Sequence, residues 1–219
     1  MKQLDRPAVL ARIKDEGAIA IFRTTTAEQA VRAAEAAIAG GFRVVEITYG
    51  VPTAIDVVAR LVREHGADIL VGAGTVLTRA QVNEAVDAGA QFLVSPSVLP
   101  EMIAAGRERD IVTIPGAFTP TEIYTAWSLG ADLVKLFPAV RSGPEYLRAI
   151  RGPLPDIPII PTAGVNTANA AEWISAGAVA LGAAGGVFDR TAIEKGDWDT
   201  VTRLAREFLA VVRRSRGSA

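Results

Sequence analysis

The chain has 219 residues, half of them apolar, with 23 basic against 24 acidic side chains, a single histidine and no cysteine. That length suits one large domain or two small ones, and α/β barrels of this size are a familiar single-domain case. Near-neutral charge argues against a nucleic-acid partner, the missing cysteines exclude disulfides and thiol chemistry, and the lone histidine argues against zinc. No apolar run nears the ~18 residues of a membrane span. The opening MKQLDRPAVLARIKDEG is charged throughout, without a signal-peptide core, so the expected compartment is the cytoplasm. The basic tail Arg213, Arg214 and Arg216 reads as a solvated C-terminal end.

In chain order, the pattern predicts a leading helix over 6–16 and a first strand over 19–23. Thr24, Thr25 and Thr26 follow, an N-cap signal rather than a phosphate loop, opening a helix over 26–40. Strands then alternate with helices: strand 44–48, helix 53–65, strand 69–72, helix 79–88, strand 92–95, helix 98–109, strand 111–115, helix 119–129. The second half continues with strand 133–137, helix 144–150, strand 159–162, helix 167–176, strand 179–182 and a last helix over 198–214.

A weak repeat runs through this series. AGGFRVVE at 39–46, AGAQFLVS at 88–95, LGADLVKL at 129–136 and AGAVALGA at 176–183 each end a helix on a glycine and feed a strand. Glycine supplies the left-handed position that closes a helix. Repetition of a helix–turn–strand unit implies a parallel sheet. Eight strands favour a closed barrel over an open doubly wound sheet, so the expected fold is α/β: a single (β/α)8 TIM barrel over 1–219, its extra N-terminal helix plugging the bottom.

Reactive groups in such barrels sit at the C-terminal ends of the strands. Those ends carry Arg23, Glu46 with Thr48, Thr75 after a GAG turn, Pro96, Lys135 with Phe137, the turn Thr162, Ala163 and Gly164, and the glycine-rich loop 182–186. Glu46 and Lys135 are the costly ones, because a charge in an apolar wall needs a partner or must lose its charge. Lys135 is one of four lysines against nineteen arginines, and the only lysine between residues 15 and 194.

One reading is a buried Lys135–Glu46 ion pair that holds two strands. Such pairs often stabilise no more than apolar replacements, which favours a second use. An amine desolvated in an apolar wall is neutral more readily and attacks ketones. The resulting imine draws electrons from the adjacent carbon–carbon bond, and a buried carboxyl such as Glu46 can carry the protons. Thr48 and Thr75 offer hydroxyls or simply pack as β-branched residues. Arg23 is a clamp for an anionic group or a salt-bridged rim residue. The turns after strands seven and eight lie where barrels bind phosphate through backbone N–H groups.

Together, VVEIT at 44–48, GAGTVL at 72–77, FLVSPS at 92–97, IPGAFTPTE at 114–122, LVKLFPA at 133–139 and GPLPDIPIIPTAGVN at 152–166 resemble the class I 2-keto-3-deoxy-6-phosphogluconate aldolases, which also act on 4-hydroxy-2-oxoglutarate. The resemblance covers roughly residues 8–190 and implies that Lys135 forms the Schiff base and Glu46 is the general acid/base. It implies Thr75 against the pyruvyl carboxylate or a hydroxyl, Phe137 and Pro96 as walls of the pyruvate pocket, and the backbone around Ala163, Gly164, Gly185 and Gly186 as the phosphate site. Arg23, Thr48 and Thr162 complete the expected substrate contacts. No cofactor or metal is implied; the partners are a 2-keto acid and pyruvate, with a homotrimer as the family's assembly.

Three positions depart from the family pattern: Gly50 stands where some members carry arginine, Ala163 where the turn usually reads TGG, and Gly185 where a serine is common. Alternatives kept open are 4-hydroxy-2-oxoglutarate, the galactonate epimer or an unphosphorylated 2-keto-4-hydroxy acid as substrate, a metal-dependent aldolase, and a non-catalytic ligand-binding barrel or scaffold.

Overall fold

The repeated turns organise the whole chain, and the four glycines that the repeat singles out behave alike. The structure, a computed structural model, describes residues 4–66 and 68–217; Lys2 lies outside them. Gly41, Gly89, Gly130 and Gly177 take φ values of 111°, 93°, 89° and 96°, in the positive region that glycine enters without a Cβ clash. Each turn brings the chain from an outer helix to an inner strand.

The strands are β1 (Ala18–Phe22), β2 (Val44–Thr48), β3 (Leu70–Gly74), β4 (Phe92–Val94), β5 (Val112–Ile114), β6 (Gly116–Ala117), β7 (Val134–Leu136), β8 (Ile159–Pro161) and β9 (Leu181–Ala183). All pair in parallel, in the orders β5-β4-β3-β2-β1-β9 and β6-β7-β8. A bridge between Thr162 and Gly182 joins the second group to the first, and β6 continues β5 beyond Pro115. The ring therefore closes on eight strand positions, a (β/α)8 barrel.

The fifth strand differs from the continuous 111–115 expected above. Pro115 has no N–H to donate, so the ladder breaks there. Its carbonyl still accepts the Lys135 amide at 2.9 Å. The break lets one stretch pair with β4 before the proline and with β7 after it. Other boundaries move by a residue or two: β1 stops at Phe22 and leaves Arg23 just outside it, while β3 extends to Gly74.

The helices are α1 (Arg6–Glu16), α2 (Ala27–Ala39), α3 (Ala54–His65), α4 (Arg79–Asp87), α5 (Pro100–Glu108), α6 (Pro120–Ser128), α7 (Gly143–Arg151), α8 (Ala170–Ser175), α9 (Arg190–Lys195) and α10 (Trp198–Gly217), with a 3-10 turn at Ala139–Arg141. Thr26 caps α2 by accepting the Gln29 amide, as the threonine run suggested. Thr78 with Gln81, and Thr119 with Glu122, form capping boxes on α4 and α6. The 3-10 turn and α9 were not expected from the sequence.

The core has two parts. Outward strand residues such as Val45, Ile47, Val134 and Leu136 pack against the helices. Inside the barrel, Ile19, Val44, Leu70, Phe92, Val112, Leu133 and Ile160 share a cluster with Val9 and Ile13 of α1, so α1 plugs the bottom as expected. Its position is pinned by Arg6, whose Nη2 lies 2.8 Å from Asp132 Oδ1, while Asp132 Oδ2 accepts the Thr113 amide at 2.9 Å.

Inside the barrel β3 presents glycines. A Cβ at Gly72 would stand 2.4 Å from the Phe92 ring, so this position must stay empty for the core to close. Gly72→Ala is expected to lower unfolding stability by about 1–3 kcal/mol through overpacking. Gly185→Ala, where nothing lies within 4 Å, is expected to change it by less than about 0.5 kcal/mol; denaturant unfolding of both checks the contrast.

Candidate active site

Alternation along β2 sends Val45 and Ile47 to the helices and Glu46 and Thr48 to the barrel interior. On β7, Val134 and Leu136 face outward, and Lys135 faces inward above Leu133. Glu46 is 1% exposed and Lys135 9%. Both line one cavity of about 650 Å3 at the C-terminal mouth, with Arg23, Thr48, Phe137, Thr162, Ala163 and Gly185 also on its walls.

The space for the Glu46 carboxyl is made by Gly74. A Cβ built there would lie 1.9 Å from Glu46 Oε1, so a side chain on that residue and this position of the carboxyl exclude each other. Oε1 is buried without a hydrogen-bond partner, as is Thr48 Oγ1. Burial pushes the Glu46 carboxyl above its ordinary value of 4.5, and the charges of Lys135 and then Arg23 oppose that rise. No ion pair or hydrogen bond joins Glu46 to Lys135. The strand-holding ion pair considered above is therefore not formed. Lys135 Nζ instead lies 5.0 Å from the centroid of the Phe137 ring, a cation–π distance. Buried polar atoms without protein partners, facing a cavity, are open to water or to a ligand.

Arg23 reaches over this floor. Its Nη2 donates to Thr75 Oγ1 at 3.5 Å, and its stem passes 3.6 Å from where a Gly50 Cβ would be. The glycine departure at 50 thus coincides with the path of Arg23. Thr162 is buried against Gly182, whose missing side chain leaves room for the threonine hydroxyl. Ala163 carries φ 66°, a left-handed conformation that costs an L-residue roughly 1–2 kcal/mol.

Four expected contacts lie off the cavity wall. Thr75, with φ 59°, meets the cavity through Arg23 rather than by lining it. The Pro96 carbonyl packs against Gly116, where a Cβ would stand 2.3 Å away. Gly164, at φ 93°, admits the Val140 backbone, and Gly186 packs against the Val165 carbonyl. Conversely, Gln29, Arg190 and Glu194 line the cavity and escaped the sequence reading. The signal for the last two was Asp189, whose side chain caps α9, with Gly196 closing it in the left-handed region. Among the described residues, one group of possible metal ligands, Glu35, Glu64 and His65, lies within 4.8 Å of one another; it is not on the cavity, and Glu64 is engaged by Arg60 and Glu35 by Arg32.

Within a (β/α)8 barrel, a buried amine and a buried carboxyl facing one cavity at the strand ends without bonding fit the class I aldolases, carbon–carbon lyases that hold their substrate as an imine. The chain belongs to the KDPG and KHG aldolase family, which it matches over residues 9–204. It is 37% identical over 184 residues to a 2-dehydro-3-deoxy-phosphogluconate aldolase of Pseudoalteromonas atlantica, covering 84% of this chain and 85% of that one. It is 39% identical over 165 residues to a probable 2-dehydro-3-deoxy-6-phosphogalactonate aldolase of Rhizobium meliloti, covering 75% and 78%. The fold superposes with a TM-score of 0.82 and 31% identity, over 90% of this chain and 96% of the other, on KDPG aldolase from Legionella pneumophila with pyruvate captured as a covalent carbinolamine. The non-catalytic scaffold reading gives way to this family.

The Glu46 environment predicts a pH signature. A folded-state pKa above 4.5 means the folded chain keeps a proton that the unfolded chain releases, so stability falls as pH rises from about 4.5 toward the folded value. Glu46→Gln removes this titration. Thermal unfolding should show the variant gaining stability relative to the parent between pH 4 and pH 8, with the opposite trend counting against a raised carboxyl.

Proposed function

We propose that the chain cleaves 2-keto-3-deoxy-6-phosphogluconate reversibly to pyruvate and D-glyceraldehyde 3-phosphate, with Lys135 as the nucleophile and Glu46 as the general acid/base. The observation that carries this reading is that both groups are buried, face the same cavity and are not bonded to each other. Lys135 adds to the C2 ketone, and the carbinolamine loses water with a proton from Glu46, leaving a protonated imine. The Glu46 carboxylate then takes the C4 hydroxyl proton, the C3–C4 bond breaks, and its electrons pass into the imine as an enamine while the aldehyde departs. Return of the proton to C3 and hydrolysis release pyruvate and the free amine.

In this reading Arg23 holds the C1 carboxylate with Thr75 behind it, and Phe137 and Pro96 limit the pyruvyl end. Thr48 and Thr162 meet substrate oxygens, and backbone around Ala163, Gly164, Gly185 and Gly186 receives the phosphate. A homotrimer and a cytoplasmic location go with it. A second reading is the C4 epimer, 2-keto-3-deoxy-6-phosphogalactonate. It is supported by the galactonate name of the Rhizobium relative.

Pyruvate with borohydride should leave a stable adduct on the peptide that contains Lys135, read by mass spectrometry; an adduct on Lys14 or Lys195 instead would sink the assignment. Lys135→Ala is expected to lose on the order of 10⁴-fold in kcat or more. For the phosphorylated substrate, kcat/KM should exceed that for the unphosphorylated analogue by about tenfold or more; a ratio near one rejects the phosphate-specific reading.

A further inference from the structure

The substrate proposed above is charged at both ends, a carboxylate beside the ketone and a phosphate on the last carbon. Three cationic side chains line the cavity: Lys135, Arg23 and Arg190. Lys135 lies at the inner end beside the Phe137 ring, and Arg23, exposed at the exit of β1, leans toward that end by bonding Thr75 and acting electrostatically on Glu46. Arg190, the first residue of α9, is 83% exposed and pairs with Glu194 one helical turn on, Nε to Oε1 at 2.7 Å. That bond uses Nε, so the two terminal nitrogens still present a fork of the geometry that grips phosphate.

Beside Arg190, the other donors on the cavity wall toward β1 and α2 are the uncharged Thr24, Thr25 and Gln29. Gly185 offers no hydroxyl, and open space extends from it, with nothing within 4 Å of a Cβ built there. Ala163 brings a methyl group to the opposite turn. Neither side chain can bond an anion, which leaves the cation on α9 as the side chain of the right charge for the outer end.

We propose that Arg190 is a specificity-determining residue that takes the terminal phosphate of the substrate on its two terminal nitrogens while Glu194 keeps Nε. Glu194 holds the guanidinium in place, and its negative charge opposes the incoming dianion. This inference rests on the phosphorylated-substrate reading and assigns to one side chain the preference that reading requires.

The test compares kcat/KM for 2-keto-3-deoxy-6-phosphogluconate with that for the unphosphorylated 2-keto-3-deoxygluconate in the parent, Arg190→Ala, Arg190→Lys and Glu194→Gln. Taking the ratio of two substrates within one preparation removes any loss from partial unfolding, which lowers both alike. Arg190→Ala is expected to reduce the ratio by about tenfold or more, through KM for the phosphorylated substrate with its kcat retained. Arg190→Lys should recover part of the ratio, and Glu194→Gln should lower KM for the phosphorylated substrate. A parent that prefers the phosphorylated substrate, together with an Arg190→Ala variant that keeps the same ratio, overturns this inference alone. A parent without that preference overturns both this inference and the phosphorylated-substrate reading.

Discussion

The site depends on keeping a buried carboxyl group and a buried amine on one cavity without letting them bond. A direct pair would neutralise both and leave a static strut between β2 and β7. The barrel avoids this through what β3 lacks. Gly74 gives up its side-chain volume to the Glu46 carboxyl, and Gly72 gives up its own to Phe92, so the strand beside β2 becomes a recess. The recess holds the carboxyl back on its own side, away from the amine, where burial favours its protonated form. The proposed role of Glu46 as proton carrier therefore needs the empty volume as much as it needs the glutamate.

Much of this was legible in the chain, for identifiable reasons. The strands announce themselves because parallel strands buried on both faces are apolar runs, and the turns because each required a glycine. Lys135 and Glu46 stand out as charges within such runs. What escaped detection follows from the same logic inverted. Pro115 reads as the end of a strand, although its carbonyl continues the ladder with β7. Arg190 and Glu194 look like an ordinary solvated i,i+4 pair on a short helix; no pattern in the sequence says that this helix overhangs a cavity. Gly74 reads as one more small residue in GAG, since its purpose lies in the side chain of a neighbouring strand.

The division between floor and rim also has a physical basis. Lys135 and Glu46 ride on β-strands locked by ladders on both sides, where a misplaced group would cost rate. Arg23, Ala163, Gly185 and Arg190 sit at strand exits, on loops or at the start of a short helix, where a residue changes without disturbing the barrel. The three departures from the family pattern, Gly50, Ala163 and Gly185, all fall in this outer zone. On the proposed reading, reaction type thus belongs to the strands and substrate choice to the rim.

The plug at the other end of the barrel sets the traffic. With Val9 and Ile13 filling the bottom and Arg6 clasped to Asp132, the cavity is a vessel with one door. A ketone tethered at the floor on the proposed lysine lies deepest, and the fragment cut from it lies toward the opening. On the proposed mechanism the covalent imine already keeps pyruvate until last, and depth works in the same direction: the aldehyde has a clear way out, and in the synthetic direction pyruvate has to be seated before the aldehyde arrives. The helix that seals the bottom of the fold thus leaves both carbon fragments of the proposed reaction a single way in and out.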